Sequence, residues 1–182
     1  MSTTADRYRR LSSDFIAKVA HVSPEHWSAP SPCEEWTARD VVRHVVDAHG
    51  IFLKLVNRTF AQTLRVDDDP LGAVQEAVAL VQADLDDPVR AGEEFEGYFG
   101  RMSFAAAIDR FICADLVVHG WDLARAAGLD EAMRPDEVAA VRATMDGFGD
   151  SLRQPGVCGP AVDVASDADD QTKLLAFLGR RV

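Results

Sequence analysis

Apolar residues recur at intervals of three and four in four long stretches of this chain, and this spacing is what most limits its fold. Apolar side chains at these intervals share one face of an α-helix, so each stretch predicts an amphipathic helix. The lengths match those of helices in four-helix bundles. The four stretches are residues 4–20, about 37–63, 71–85 and 104–127.

Residues that cap or break helices define where these stretches begin and end. Thr37-x-x-Asp40 resembles a capping box, with Asp in place of Glu, and predicts the start of the second helix. Ser103 is placed to cap the fourth helix, and Gly128 follows its end as the residue preferred there. The loop after the first helix contains residues that interrupt regular structure, namely Pro24, Pro30 and Pro32.

Two shorter helices are expected near the C-terminus. One runs from Pro135 to about Leu152, with the proline in its first turn, and the other from Gln171 to Leu178, capped by Asp169 or Asp170. Residues 86–102 are expected to form an ordered loop or a short extended piece, and residues 161–164 a short strand or extended segment.

The six helices predict an all-α fold without a substantial sheet. We expect a single domain over residues 1–182, with the bundle at about 4–127 and a C-terminal helical extension at about 128–182. Neither an internal repeat nor a segment long enough for a flexible interdomain linker is visible in the sequence.

Composition narrows the classes of function. The net charge of −11 repels phosphate backbones, so nucleic-acid binding is disfavoured. There is no apolar run of the roughly 20 residues that a membrane helix needs, and residues 1–10 lack the apolar core of a signal peptide. The spacing of Cys33, Cys113 and Cys158 fits neither a disulfide framework nor a metal knuckle. We expect a soluble, cytoplasmic protein with reduced thiols and no membrane partner.

Two polar residues interrupt the apolar surroundings of the fourth predicted helix. Asp115 and His119 are four positions apart, so their side chains lie on one helical face. Burying a carboxylate without a partner costs several kcal/mol, and sharing a metal ion with an imidazole is one way to remove that cost. The alternative is a carboxylate–histidine hydrogen bond without an ion.

A histidine on the second predicted helix favours the metal interpretation. His44 lies among valines, and as a third ligand it would complete a three-ligand site with an open position, as in catalytic zinc sites. His49 is about 140° further round the helix and is assigned to another face, as a surface or packing histidine. His21 and His26 fall in a loop, where a histidine needs no function. Two imidazoles and a carboxylate suit zinc first and nickel second, and they also suit iron and cobalt.

The segments around these ligands resemble a known family. Trp-Thr-Ala-Arg-Asp-Val-Val-Arg-His at 36–44 and Asp-Leu-Val-Val-His-Gly-Trp-Asp-Leu-Ala-Arg-Ala at 115–126 are similar to the mycothiol-dependent maleylpyruvate isomerase-like proteins of actinobacteria. These belong to the DinB/YfiT-like metal-binding bundles. Leu-Leu-Ala-Phe-Leu-Gly-Arg at 174–180 is similar to the tail of a metal-binding subfamily. The resemblance implies a metal held by His44, Asp115 and His119.

The sequence departs from the isomerase pattern in two ways. The isomerase has Glu at the acidic ligand, whereas this chain has the shorter Asp115. The isomerase also has a separate C-terminal domain, and 182 residues are too few to hold one of that size. Isomerase activity is therefore not transferred directly.

The resemblance implies that the metal acts together with a small thiol cofactor such as mycothiol. The first hypothesis is a metal-dependent enzyme for thiol transfer or isomerisation, and the alternative is a non-catalytic metal-binding or stress-response module. The expected partner is a small-molecule thiol or substrate, and an apolar helix face leaves a homodimer possible. Arg110 either makes contacts around the site or is a surface residue. Asp122 either makes contacts around the site or accepts a hydrogen bond from a ligand histidine. Trp36 and Trp121 are either pocket-lining or core residues.

Overall fold

Helices make up most of the computed structural model, which describes residues 3–97, 100–153 and 158–182. The long helices are α1 (Thr4–His21), α2 (Ala38–Leu55), α3 (Pro70–Asp86) and a composite helix. The composite helix joins α5 (Phe104–Ala107), a π-helical turn (Ile108–Ile112) and α6 (Cys113–Ala127). The shorter elements are α4 (Pro88–Ala91), β1 (Glu94–Gly97), β2 (Gly100–Ser103), α7 (Pro135–Asp146), α8 (Asp170–Phe177) and two 3₁₀ turns (Pro24–Ser28 and Gly149–Arg153).

The four long helices pack as a square. α1 contacts α3 and α6, and α2 contacts the same two helices, so α1 and α2 lie across a diagonal. The apolar faces of these helices meet in one core. This arrangement confirms the predicted all-α fold and four-helix bundle. Because α2 and α6 are neighbours, polar residues on their facing sides can meet.

The helix boundaries follow the predicted signals. Thr37 accepts a hydrogen bond from the Asp40 N–H while the Asp40 carboxylate accepts one from the Thr37 N–H, which completes the capping box. The hydroxyl of Ser103 accepts from the Ala106 N–H, and Asp169 caps α8 by accepting from the Thr172 N–H. Gly128 ends α6 in the left-handed region, with φ of 66°.

The second helix is shorter than predicted. It ends at Leu55, and Asn57 adopts a left-handed φ of 58°, which turns the chain. Phe60 then folds back onto α2, where a Cβ built on Gly50 would lie 2.7 Å from the Phe60 ring. The apolar residues beyond 55 therefore pack onto the bundle from the turn that follows α2 and not from a longer helix. The lack of a Cβ at Gly50 makes room for the Phe60 ring.

Other predicted segments also differ. The expected loop or extended piece at 86–102 contains α4 and an antiparallel hairpin of β1 and β2, and residues 98–99 within it lie outside the described residues. The helix from Pro135 ends at Asp146 and not near Leu152, because the chain passes through Gly147 into a 3₁₀ turn. Within the described residues, 161–164 form no strand, and the Val162 N–H donates to the Ala176 carbonyl.

The C-terminal helices cover the outer side of α6. α7 packs on α6 and on α8, and a second apolar cluster joins the three. α6 therefore contributes to both cores, with Leu116 and Leu123 on the bundle side and Ala114 and Val118 on the C-terminal side. Among the described residues, no helix has both the length and the apolar character to cross a membrane.

Candidate metal centre

The fold brings the three predicted ligands together. His44 lies on α2, and Asp115 and His119 lie one turn apart on α6, which packs against α2. One potential ligand atom from each residue lies within 4.8 Å of the other two. The rings of His44 and His119 meet edge-on, with their centroids 4.7 Å apart. The placement is as predicted, while metal binding by these residues stays a prediction.

The cluster is open to solvent on one side. The His44 side chain is 37% exposed and that of Asp115 is 34% exposed, whereas His119 is only 10% exposed. His44 Nε2 lies 3.4 Å from Asp115 Oδ2. Burial alone would raise the pKa of Asp115, but its polar contact with His44 and the charges of His119 and His44 outweigh this, so its pKa lies below the ordinary value. Asp115 is thus an anion at neutral pH.

The loop before α2 closes one end of the cluster. The Ser31 N–H donates to the Trp36 carbonyl and the Ala38 N–H to the Ala29 carbonyl, so the loop folds back on itself. Glu35 takes the left-handed φ of 64° at its tip. This turn places the Trp36 ring 4.9 Å from the His44 ring and 5.9 Å from the His119 ring, measured between centroids. Trp36 therefore packs against both imidazoles.

The buried carboxylate of Asp122 accepts a hydrogen bond from the Nδ1 side of the His119 ring. Asp122 Oδ2 lies 2.9 Å from His119 Nδ1, and the Asp122 side chain is completely buried. Burial would raise the pKa of Asp122, but hydrogen bonds from His119 and Arg180 lower it to about 2. An ionised carboxylate can only accept hydrogen bonds, so Nδ1 of His119 donates to Asp122, and in the neutral imidazole the lone pair is on Nε2. Asp122 therefore accepts a hydrogen bond from His119, as the sequence suggested, while the role of His119 as a metal ligand stays a prediction.

A second group of potential ligands shares His119 but does not suit a cation. Cys33, His119 and Asp122 also place ligand atoms within 4.8 Å of one another. The guanidinium of Arg180 already lies there, with Nη2 2.8 Å from Asp122 Oδ2 and 3.4 Å from Cys33 Sγ. Burial and the neighbouring Asp122 charge raise the pKa of Cys33 to about 12, so its thiol keeps its proton. Arg180 takes the place of a metal ion in this group.

The remaining residues from the sequence lie apart from the cluster or beside it. His49 is a packing histidine, as predicted, with Nδ1 2.6 Å from the Val45 carbonyl and Nε2 2.8 Å from the Tyr8 hydroxyl. The guanidinium carbon of Arg110 lies 4.7 Å from the centroid of the Phe148 ring. Trp121 is buried in the fold, so of the two tryptophans it is Trp36 that borders the cluster. The three cysteines are free thiols, and Cys113 is buried as expected.

Sequence reasoning missed two residues of this site. Arg180 is 58 positions from Asp122 and Cys33 is 89 positions from it, so helical spacing does not connect them. The available signal was Asp122 itself, a carboxylate in the apolar part of α6, because a buried carboxylate needs a cation or several donors. That requirement predicts a partner without identifying it.

The fold and the cluster define the class of this protein as a DinB-like four-helix bundle with potential metal ligands between two of its helices. A family model described as the mycothiol maleylpyruvate isomerase N-terminal domain matches residues 8–111. The chain belongs to this mycothiol-associated family, as the resemblance indicated. The matched range contains His44 and ends before Asp115 and His119, so the family match by itself does not extend to the ligands on α6.

Two full-length relatives extend the similarity beyond residue 111. They are uncharacterized proteins of Mycobacterium tuberculosis, from strains CDC 1551 / Oshkosh and ATCC 25618 / H37Rv. Each is 30% identical over 185 residues, covering 96% of this chain and 96% of the relative. The C-terminal helices are therefore part of the shared sequence. No solved structure matches the chain.

Proposed function

We propose that this protein binds one divalent metal ion through His44, Asp115 and His119 and uses it to act on a small thiol such as mycothiol, in thiol transfer or isomerisation. The observation that carries the proposal is the convergence of these three side chains from two helices. Zinc is the first choice of metal and nickel the second, because two imidazoles and a carboxylate suit both.

The donor atoms fit such an ion. Zinc bonds of about 2.0–2.1 Å in a tetrahedral site place neighbouring ligand atoms about 3.4 Å apart. His44 Nε2 and Asp115 Oδ2 are 3.4 Å apart. A charge-assisted hydrogen bond would bring a nitrogen and a carboxylate oxygen to about 2.7–2.9 Å. The observed separation matches the spacing of two ligands of one ion.

The surrounding residues would leave one direction open. Asp122 and Arg180 cover the Nδ1 side of His119, and Trp36 packs on both imidazoles. His44 and Asp115 are each about one third exposed, so a thiol would approach from their side. An ion with three protein ligands and an open position supplies Lewis acidity, which lowers the pKa of a bound thiol or water towards neutrality. The protein would contribute binding, orientation and the single negative charge of Asp115.

Metal content and metal affinity test the first part of the proposal. We expect about one metal ion per chain by elemental analysis. His44→Gln and Asp115→Asn should lose more affinity than the 10–100-fold typical of an outer partner. The matched controls are His21→Gln and Asp47→Asn, which change exposed residues of the same types on the bundle and should bind as the unchanged protein does. Equal binding by all four variants would refute the assignment.

A spectroscopic titration tests the thiol. Cobalt(II) replaces zinc in such sites and reports a new sulfur ligand by a change in its absorption spectrum, so mycothiol added to the cobalt protein should change that spectrum. Turnover of a mycothiol conjugate by the zinc protein would then establish catalysis. Metal binding without a response to thiol would indicate the non-catalytic metal-binding module, and a protein that binds no metal would overturn both interpretations.

A further inference from the structure

The end of the chain turns into the bundle just before its last residues. The Arg180 N–H donates to the Leu175 carbonyl at 2.9 Å, and the Gly179 N–H to the Ala176 carbonyl at 3.0 Å, which ends α8 in a tight turn. Gly179 has a left-handed φ of 85°, and a Cβ there would lie 3.2 Å from the backbone of Gly159. A side chain at 179 would therefore be strained, and the turn that Gly179 allows directs the Arg180 side chain inwards.

The Arg180 guanidinium donates hydrogen bonds from two of its nitrogens to the buried Asp122 carboxylate. Nη2 lies 2.8 Å from Asp122 Oδ2, and Nε lies 3.2 Å from Asp122 Oδ1. Nη1 donates to the Leu178 carbonyl at 3.0 Å, which anchors the guanidinium to its own turn. The Arg180 side chain is 10% exposed and that of Asp122 is fully buried. Such a forked contact fixes the plane of the carboxylate as well as its charge.

The fixed carboxylate in turn orients a proposed metal ligand. Asp122 Oδ2 is the oxygen that accepts from His119 Nδ1, at 2.9 Å. The fork holds this oxygen in place, so the His119 ring is held in one orientation with the proton on Nδ1. Outer partners of this kind set the tautomer and orientation of a metal-binding imidazole.

We propose that Arg180 is a positioning residue for the metal centre, acting through Asp122 to hold His119 with Nε2 free for the ion. The inference rests on the proposed function, because the free nitrogen matters only if His119 is a ligand. It assigns a role in the centre to the C-terminal turn, which lies 69 residues beyond the range of the family match. The neighbouring Arg181 is exposed and serves as a matched control.

The orientation of His119 is measurable without metal. In metal-free protein at about pH 8.5, where imidazoles are ordinarily neutral, nitrogen-15 NMR should show the His119 proton on Nδ1. Arg180→Gln should shift His119 towards a mixture of tautomers, and Arg181→Gln should leave it unchanged. A wild-type ring with its proton on Nε2, or an unchanged tautomer in folded Arg180→Gln, would overturn the proposal.

Metal affinity supplies the second readout. Cobalt(II) affinity should fall about 10–100-fold in Arg180→Gln and stay within about twofold in Arg181→Gln. Arg180→Lys keeps the charge but not the fork, so its affinity should lie between those of the wild type and Arg180→Gln. If Arg180→Gln does not fold, Arg180→Lys carries the test, and an affinity equal to wild type would refute the role of the fork. If the wild type binds no metal, the proposed function fails while the NMR experiment still tests the positioning by Arg180.

Discussion

Replacing Asp122 by alanine tests the structural role of a residue that holds a proposed ligand in place without being a ligand itself. The carboxylate accepts from His119 Nδ1 at 2.9 Å, from Arg180 Nη2 at 2.8 Å and Nε at 3.2 Å, and from Cys33 Sγ at 3.3 Å. Alanine removes all four acceptor contacts at once. It also leaves the Arg180 guanidinium, with its side chain 10% exposed, buried without an anion.

The expected loss is set by that uncompensated charge. Removing one member of a buried ion pair costs about 3–5 kcal/mol of unfolding free energy. For a chain of this size each kcal/mol corresponds to about 2–4 °C, so the melting temperature should fall by about 6–20 °C. Asp115→Ala should cost under about 1 kcal/mol in metal-free protein, because Asp115 is 34% exposed and screened by water.

Urea unfolding followed by circular dichroism, with chelator present, measures the free energy of unfolding of both the Asp122→Ala and the Asp115→Ala variants. The chelator removes the contribution of bound metal, so the two variants are compared on the protein fold alone. Asp122→Asn, which keeps an acceptor oxygen, should lose less than Asp122→Ala. A loss below about 1 kcal/mol in Asp122→Ala, or an equal loss in Asp115→Ala, would refute the structural role assigned to the Asp122–Arg180 pair.

Three further predictions concern buried groups. Burial lowers the pKa of His49 to about 4, below its ordinary 6.5. As the pH falls, the unfolded state therefore takes up the proton before the folded state does. The free energy of unfolding of the metal-free protein should decrease by up to about 3 kcal/mol as the pH falls from about 6.5 to 4. Tyr8→Phe removes the hydroxyl that lies 2.8 Å from His49 Nε2 and should cost about 1–3 kcal/mol at pH 7, measured by urea unfolding; no loss would show that this hydrogen bond is dispensable. Cys33, whose pKa is raised to about 12, should react with iodoacetamide at pH 8 far more slowly in the folded protein than in urea, and equal rates would contradict a protonated thiol held at Asp122.

Local sequence was enough to predict the main helices and to place Asp115 and His119 on one helical face. The spacing of apolar residues and the caps at Thr37, Ser103 and Gly128 depend only on neighbours within a few positions, so the helices could be located. Asp115 and His119 share a face because of helical geometry alone. That His44 would join them was an inference from its apolar setting and from the family resemblance, since the sequence does not state which helices are adjacent.

Tertiary structure decided the rest, because the contacts involved join distant parts of the chain. Helix α2 ends at Leu55, the chain turns at Asn57 and Phe60 packs back onto Gly50, an arrangement that the apolar pattern does not distinguish from a longer helix. The pairing of Asp122 with Arg180 spans 58 positions and depends on the turn at Gly179. A buried carboxylate demands a partner whatever the fold, but only the docking of the C-terminal turn on the bundle selects Arg180 as that partner.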